Sequence, residues 1–302
     1  MFKLSTEYGT VPYDGFYIYA YSLPRPDFIA RVQGQVRTAQ PYALRHTPRT
    51  RRQALWANFV SLPIAGEDGA LKVMWDPLDP WSGIPLSRVY FNPSTTGYDA
   101  QQTYDLLLTI LDDPLSAVMA SLDTKVDVEA PYWLVAGHIY YSYARYLGHA
   151  DWLADAGTIY EGKKTRLSIY AKLGEHNERD RWWRERDDEE PVAPITRVEM
   201  RQRFVKPRPT FGDFLRGALV ETNKLRQLKV VEDLDKLGDR VLAEEAQKRG
   251  GLTRVLREYQ EFANVSKADI AAMKENINAI ATREIFDHYR RQAEVWHRTF
   301  RG

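Results

Sequence analysis

The feature that most constrains the fold is a change in the spacing of apolar residues near residue 208. Before that point, short segments alternate polar and apolar residues or are rich in β-branched and aromatic residues, as strands are. These segments are residues 15–21, 71–75, 88–91, 121–129, 157–162, 165–173 and 196–204. After Pro207 and Pro209, residues 211–228 have the spacing of an amphipathic helix, and Ser266 with Asp269 forms a capping pattern that opens another helix.

This pattern predicts an α+β protein. We expect a largely antiparallel sheet with helices packed on one face, followed by a helical C-terminal subdomain. Two further helices are predicted over residues 103–113 and 132–147, and loops over residues 40–52 and 175–190. The change in character after Pro207 predicts a domain boundary near residue 208.

Composition limits the chemistry and the compartment. The chain has 302 residues, of which 44% are apolar, so it is long enough to bury a core. It contains no cysteine, which excludes disulfides and cysteine-ligated metals. The N-terminus lacks a signal-peptide pattern, and no apolar run approaches the ~18–20 residues of a membrane span. We therefore expect a soluble, cytoplasmic protein with no membrane partner.

Positive charge is concentrated in two regions, although the net charge is only +1. Residues 28–66 contain six arginines and no acidic residue, and residues 201–302 contain 21 Lys/Arg against 15 Asp/Glu. Local basic patches, rather than net charge, hold nucleic-acid phosphates. The alternative is a solvated surface whose charge is merely uneven.

Two strands share one polar pattern. Residues 124–128 (TKVDV) and 196–200 (TRVEM) each place a cation and a carboxylate on one face and apolar residues on the other. If the strands are neighbours, Asp127 and Glu199 can converge, and paired carboxylates are a common way to hold a hard divalent cation. The alternative is two amphipathic strands whose charged faces contact solvent.

Tyr170 is the candidate nucleophile. Strand alternation places it on one face with Arg166 and Ser168. A tyrosine hydroxyl has a pKa near 10, so it needs a base, a metal or nearby cations, and Arg166 and Lys172 could supply the positive field. The alternative is that it is one of 18 tyrosines at the edge of the core, with its hydroxyl in water.

The order and spacing of five motifs resemble a known family of proteins. The motifs are residues 89–93 (VYFNP), 124–127 (TKVD), 157–164 (GTIYEGKK), 169–172 (IYAK) and 196–199 (TRVE). Together they are similar to the transposase-like replication initiators of plasmids and filamentous phages, over about residues 10–205. The chain departs from that family at Lys125, where many members have arginine, and at Ala171, where an acidic residue is common.

The resemblance implies a rolling-circle replication initiator. Such an enzyme nicks one strand at a double-strand origin, stays joined to the 5′ phosphate through a tyrosine, and later rejoins the strand. It implies Tyr170 as the nucleophile, with Arg197 and Lys172 offsetting charge on the phosphate. It also implies Asp127, Glu199 and, more weakly, Glu161 as ligands of Mg²⁺ or Mn²⁺.

The same resemblance implies a domain organisation and partners. Residues 1–208 would form the nicking domain, and residues 209–302 a helical domain that binds DNA, dimerises or recruits a partner. The partners would be single- and double-stranded origin DNA, with a host helicase and a second copy of the chain as further ones. Two other hypotheses stay open: a non-enzymatic DNA-binding regulator, and a phage or plasmid structural protein.

Overall fold

The computed structural model describes most of the chain. The described residues are 3–4, 11–38, 56–78, 85–130, 132–141, 151–153, 158–161, 165–172, 195–237, 239–249, 251–262 and 265–302. The strands are β1 (Lys3–Leu4), β2 (Tyr13–Ala20), β3 (Arg37–Thr38), β4 (Trp56–Ile64), β5 (Glu67–Pro77), β6 (Ser87–Phe91), β7 (Val118–Glu129), β8 (Ile139–Tyr141), β9 (Asp151–Leu153), β10 (Thr158–Glu161), β11 (Thr165–Ala171), β12 (Thr196–Arg203) and β13 (Leu228–Val230). The predicted loops at 40–52 and 175–190 lie outside the described residues.

Helices are concentrated in the C-terminal third. They are α1 (Pro26–Val32), α2 (Pro93–Thr96), α3 (Ala100–Leu108), α4 (Tyr132–His138), α5 (Phe211–Leu215), α6 (Arg240–Arg249), α7 (Leu252–Phe262), α8 (Lys267–Ile280) and α9 (Glu284–His297). Each strand pairing with a described register is antiparallel. The predicted α+β class is therefore confirmed. Among the helices that the structure describes, none combines the length and apolar character needed to cross a membrane.

The chain forms two compact units, and each is built from several segments. The first unit comprises Thr10–Asp123, Arg203–Val220 and Gln292–Gly302, and the second comprises Met1–Gly9, Thr124–Gln202 and Glu221–Arg291. Both units contain residues from before and after the predicted boundary near residue 208. The assignment of residues 1–208 to nicking and of 209–302 to a helical domain stays a prediction.

The first unit packs aromatic residues on one face of its sheet. Its strand order is β3-β4-β5-β6-β2-β7. Phe16 lies opposite Phe91, and both are almost completely buried. Phe211 and Phe214 of α5 pack on Phe16, with ring centroids 5.4 and 5.5 Å away. Thr210 fixes the start of α5 through a capping box, so the helix presents both rings to the sheet.

His297 closes this core through two hydrogen bonds. Its Nδ1 lies 3.0 Å from the carbonyl oxygen of Leu215, which can only accept, so Nδ1 carries the proton. The Nε2 atom therefore accepts a hydrogen bond from the hydroxyl of Tyr13 at 2.6 Å. Burial lowers the pKa of His297 to about 4, against the opposing effect of the Leu215 carbonyl.

We expect stability to fall between pH 6.5 and pH 4. The unfolded chain protonates His297 near pH 6.5 and the folded chain only near pH 4, so its contribution is complete above pH 6.5 and is lost as the pH falls. The loss is on the order of 3 kcal/mol. Thermal unfolding of wild type and His297→Phe across this range measures it, and wild type should lose stability more steeply. Parallel pH profiles would contradict the assignment.

The second unit has its own sheet and a helical core. Its strand order is β7-β12-β11-β10-β9, with β1 paired to β7, and a separate two-stranded sheet joins β8 to β13. Helices α6, α7 and α8 bury a continuous apolar cluster. Its residues include Leu242, Ala246, Leu252, Val255, Leu256 and Ile277. The predicted cap of α8 is confirmed, since the Ser266 hydroxyl accepts from the Asp269 backbone N–H at 3.1 Å.

The predicted helix over residues 132–147 is wrong at residues 139–141. Helix α4 ends at His138, and Ile139–Tyr141 form β8, paired with Leu228–Val230. Ile139, Tyr140 and Tyr141 are residue types that favour strands, and a paired neighbour outweighs a helical spacing of apolar residues. Residues 142–147 lie outside the described part of the chain.

The predicted helix over residues 211–228 is also shorter than expected. Helix α5 ends at Leu215, and Gly217 then adopts a φ of +79°, a left-handed conformation that ends helices and that glycine adopts readily. Residues Leu228–Val230 form a strand. Strands therefore continue beyond residue 208, contrary to the expectation that only helices follow it.

Candidate active site

One face of three neighbouring strands in the second unit carries the predicted site residues. Strands β7, β12 and β11 are adjacent in that order. Tyr170 lies opposite Arg197, and Ser168 lies opposite Glu199, so these four residues share one face of the sheet. We call this the charged face, and its members are Asp127, Lys125, Arg197, Glu199, Arg201, Ser168, Tyr170 and Lys172. The opposite face is apolar and is formed by Val126, Val128, Val198, Met200, Leu167 and Ile169.

The charged face is buried. Tyr170 is 6% exposed, Glu199 7% and Asp127 3%. Lys125 and Arg197 are buried as well. Charged residues on an alternating strand usually contact water, so the sequence predicts that this face is open. The structure corrects that expectation, and charges buried in this way need partners.

Arg197 is the main partner of Asp127. Its Nε donates to Asp127 Oδ1 at 2.8 Å and its Nη2 donates to Oδ2 at 3.1 Å, which is a bidentate pair. Lys172 Nζ lies 3.5 Å from Oδ2. Burial alone raises the pKa of Asp127, but the hydrogen bonds and charge of Arg197, helped by Lys125 and Lys172, outweigh burial and lower the pKa. Asp127 is therefore held ionised.

Tyr170 contacts the second carboxylate. Its hydroxyl donates a hydrogen bond to Glu199 Oε2 at 3.2 Å. Arg201 lies on the other side of Glu199, with Nη2 3.8 Å from Oε1. The tyrosine thus has an acceptor for its proton within direct reach, which is the first geometric requirement for a general base.

The structure brings five of the six predicted site residues to this face. These are Tyr170, Glu199, Asp127, Arg197 and Lys172. Glu161 is different, because it pairs with Leu167 at the end of β10, in register with the apolar residues. Its side chain lies outside the described part of the structure, and its proposed role as a metal ligand stays a prediction.

Two residues of this face were not assigned a role from the sequence. Arg201 continues the alternation of β12 and pairs with Glu199. Ser168 has a buried hydroxyl oxygen with no hydrogen-bond partner in the described structure, and it lies opposite Glu199. Strand alternation does place both on the charged face, but their contacts depend on the strand register. An unsatisfied hydroxyl beside Tyr170 and Glu199 suits a site that accepts a polar ligand.

The carboxylates are suitable donors for a hard divalent cation. Asp127 and Glu199 offer oxygen atoms, and Mg²⁺ is often held by one or two carboxylates together with substrate phosphates. Within the described residues, no group of three or more His, Asp or Glu side chains forms a complete metal site. Both oxygens of Asp127 are also engaged by Arg197. These residues would therefore hold a cation only if phosphate supplied further oxygens and the Asp127–Arg197 contact loosened.

Comparisons with known proteins do not identify the chain. No protein-family model matches it, and a search of curated proteins gives no match. The sequence motifs and the geometry of the charged face are therefore what bears on function.

Proposed function

We propose that the chain is a rolling-circle replication initiator that nicks and rejoins DNA through a covalent bond between Tyr170 and a 5′ phosphate. The observation that carries the proposal is the 3.2 Å hydrogen bond from Tyr170 to Glu199. Arg197 lies opposite Tyr170 and holds Asp127, which Lys172 also contacts. A tyrosine nucleophile needs a proton acceptor and positive charge beside the phosphate, and this face has both.

In the proposed step, the Tyr170 oxygen attacks a backbone phosphorus while its proton passes to Glu199. The bond from phosphorus to the 3′ oxygen breaks, and that oxygen takes up a proton as it leaves. One phosphodiester replaces another, so rejoining is the same reaction in reverse. Lys172 is more exposed than Arg197, with 27% of its side chain accessible against 10%, and it is the cation that would meet the incoming phosphate. Arg197 keeps Asp127 ionised and in position.

A divalent cation is part of the proposal. Asp127 and Glu199 would hold Mg²⁺ or Mn²⁺, which polarises the phosphate when bound. Because the charged face is buried, the proposal also includes an opening step that lets a single strand reach Tyr170. DNA, a host helicase and a second copy of the chain are the proposed partners.

A nicking assay tests the proposal. The protein is mixed with supercoiled plasmid that carries the DNA surrounding its own gene, with Mg²⁺, Mn²⁺ or a chelator. We expect open-circle or relaxed DNA, and a DNA band that keeps attached protein after denaturation, only when a metal is present. The same products in chelator would remove the metal from the proposal, and DNA binding without any nick would contradict the enzymatic function.

One observation favours a non-enzymatic protein as the second candidate. Both carboxylates of the charged face already have cationic partners and lie in the protein interior, which also describes an ion-pair network that only stabilises a sheet. The chain would then be a DNA-binding regulator that uses its C-terminal helices. α7 and α8, separated by a short connection, are compatible with a helix-turn-helix arrangement. The nicking assay separates the two candidates, and failure to bind any DNA would favour a structural protein.

A further inference from the structure

The sheet of the first unit has a face of tyrosines and cations that the proposed nicking reaction does not use. On this face Tyr17 of β2 lies opposite Tyr90 of β6, and Tyr19 lies opposite Arg88. Lys72 of β5 lies opposite Tyr90 from the other side. We call this surface the tyrosine platform, and its members are Tyr17, Tyr19, Lys72, Arg88, Tyr90 and Arg208.

The side chains of the platform form one layer. The Tyr17 and Tyr90 rings have centroids 4.7 Å apart. Arg88 stacks its guanidinium over the Tyr17 ring at 4.1 Å and also reaches Tyr19 at 5.9 Å. Arg208 covers Tyr19 at 5.2 Å, and the Lys72 ammonium lies 5.3 Å from the centre of the Tyr90 ring. Aromatic rings and cations therefore alternate across three strands.

Gly15 shapes one edge of this layer. A Cβ atom added at Gly15 would lie 2.8 Å from the Tyr90 hydroxyl oxygen and 2.9 Å from a carbon of its ring. The absence of a side chain therefore lets the Tyr90 ring lie close against the backbone of β2. A side chain at this position would push the Tyr90 ring away from β2.

The two faces of this sheet differ in burial. On the core face, Phe16, Ile18, Val89 and Phe91 are almost completely buried. The tyrosines and cations of the platform are only partly buried. The three tyrosines thus keep part of their surface accessible.

The platform is positively charged. Within the described part of the chain, Lys72, Arg88 and Arg208 have no carboxylate partner. The Nε of Arg88 is buried and makes no hydrogen bond in that part of the structure. Cations beside accessible aromatic rings complement a ligand that combines flat rings with negative charge.

We propose that the tyrosine platform binds unpaired DNA, with bases stacked on the tyrosines and phosphates held by Lys72, Arg88 and Arg208. Sheet-borne aromatic residues combined with basic side chains are a general solution for holding single strands, because every base has a face that can stack. A duplex hides those faces, so the platform should prefer single strands. The platform belongs to the first unit and Tyr170 to the second, and only the choice of DNA over RNA rests on the proposed function.

Fluorescence anisotropy with three labelled probes tests this site. The probes are an oligothymidylate of about twelve nucleotides, an oligouridylate of equal length and a duplex of equal length. The variants are Tyr17→Leu, which removes a ring, and Arg88→Gln, which removes a charge. The matched control is Arg298→Gln, an exposed cation of the same unit that lies outside the platform.

We expect Tyr17→Leu to bind oligothymidylate at least about fivefold more weakly, which is the loss of one base stack. Arg88→Gln should bind more weakly and should also reduce the slope of log K against log salt by about 0.7. Arg298→Gln should bind within about twofold of wild type. Circular dichroism checks that each variant is folded, and Arg88→Lys, which keeps the charge and loses the planar stack, should fall between Arg88→Gln and wild type.

Several outcomes overturn the proposal. Unchanged oligothymidylate binding by folded Tyr17→Leu and Arg88→Gln would exclude the platform as a binding site. Losses confined to oligouridylate would replace DNA with RNA, and equal losses for the duplex would exclude base stacking. The two proposals can fail separately. If wild type never nicks DNA but only the platform variants lose binding, the platform is supported and the nicking function is excluded. If wild type nicks DNA and the platform variants bind normally, only the platform is excluded.

Discussion

Replacing Tyr170 with phenylalanine is expected to abolish nicking and the covalent DNA–protein product together, with a rate loss of at least about three orders of magnitude. Phenylalanine keeps the buried ring and removes only the hydroxyl that donates to Glu199. The reaction loses its nucleophile, while binding of DNA should stay near the wild-type level. Gel separation of supercoiled from open-circle plasmid measures the first effect, and retention of labelled DNA on denatured protein measures the second.

Tyr141→Phe is the matched control for this substitution. Tyr141 is a buried tyrosine of the same unit, and its hydroxyl donates to Gln227 Oε1 at 3.3 Å. Loss of either hydroxyl should cost about 1–3 kcal/mol of stability, so the two variants should unfold alike. Only Tyr170→Phe should lose the reaction. Wild-type nicking by Tyr170→Phe would show that another group is the nucleophile.

The composition of the charged face could be predicted from sequence because strand alternation fixes it. With a period of two, Asp127 must share a face with Lys125, and Tyr170 must share one with Ser168. Strand alternation does not determine the order of the three strands. They are far apart in the sequence, and nothing in the intervening stretches indicates which strands pair. The sequence left open whether β7 and β12 are neighbours, and the structure has them adjacent.

The pairing and burial of these charges could not be predicted. Whether Arg197 contacts Asp127 or Glu199 depends on the register between strands, and alternation does not determine it. Burial depends on what covers the face. The same limit applies to residues 139–141 and 228–230, whose strands pair with each other across a long separation in sequence. Each of the two units is built from segments that are far apart in the sequence, so the division into units also depends on long-range packing.

The tyrosine platform could be predicted only in part from the sequence. The run at residues 15–21 places Tyr17 and Tyr19 on one face by alternation alone. Arg88 and Lys72 join them only through the registers of β6 with β2 and of β5 with β6. Their stacking is therefore a property of the folded sheet, and the sequence indicated only a β-strand rich in aromatic residues.

Replacing Arg197 with methionine is expected to destabilise the protein by about 3–5 kcal/mol. Methionine fills much of the space of the arginine stem but supplies no hydrogen bond. The Asp127 carboxylate, whose side chain is 1% exposed, would keep only the weaker contact with Lys172 at 3.5 Å and the nearby charge of Lys125. A buried carboxylate that loses its bidentate partner is costly, because water cannot replace the lost donors. Chemical denaturation of wild type and variant measures the difference.

Two further variants distinguish the loss of the buried Asp127–Arg197 pair from a general effect of removing a positive charge. Arg240→Met removes an exposed arginine whose Nε lies 3.0 Å from Glu244, with side chains 89% and 52% exposed, and it should change stability by no more than about 0.5 kcal/mol. The double variant Arg197→Met/Asp127→Leu removes both charges, and it should regain most of the lost stability, since no buried charge is left without its partner. A small loss in Arg197→Met, with no gain in the double variant, would exclude the pair as a determinant of stability.

The pH dependence of stability tests independently whether the unpaired Asp127 carboxylate destabilises Arg197→Met. In wild type the pKa of Asp127 lies below its ordinary value of 3.8, because the charge and hydrogen bonds of Arg197 outweigh burial. Its contribution is therefore complete above the ordinary carboxyl pKa and is lost as the pH falls through the lowered one. In Arg197→Met burial raises the pKa of Asp127, so protonation removes the unpaired charge and restores part of the stability. The gap between variant and wild type should thus narrow as the pH falls below about 4, and a gap that stays constant would mean that the buried carboxylate is not the cause of the loss.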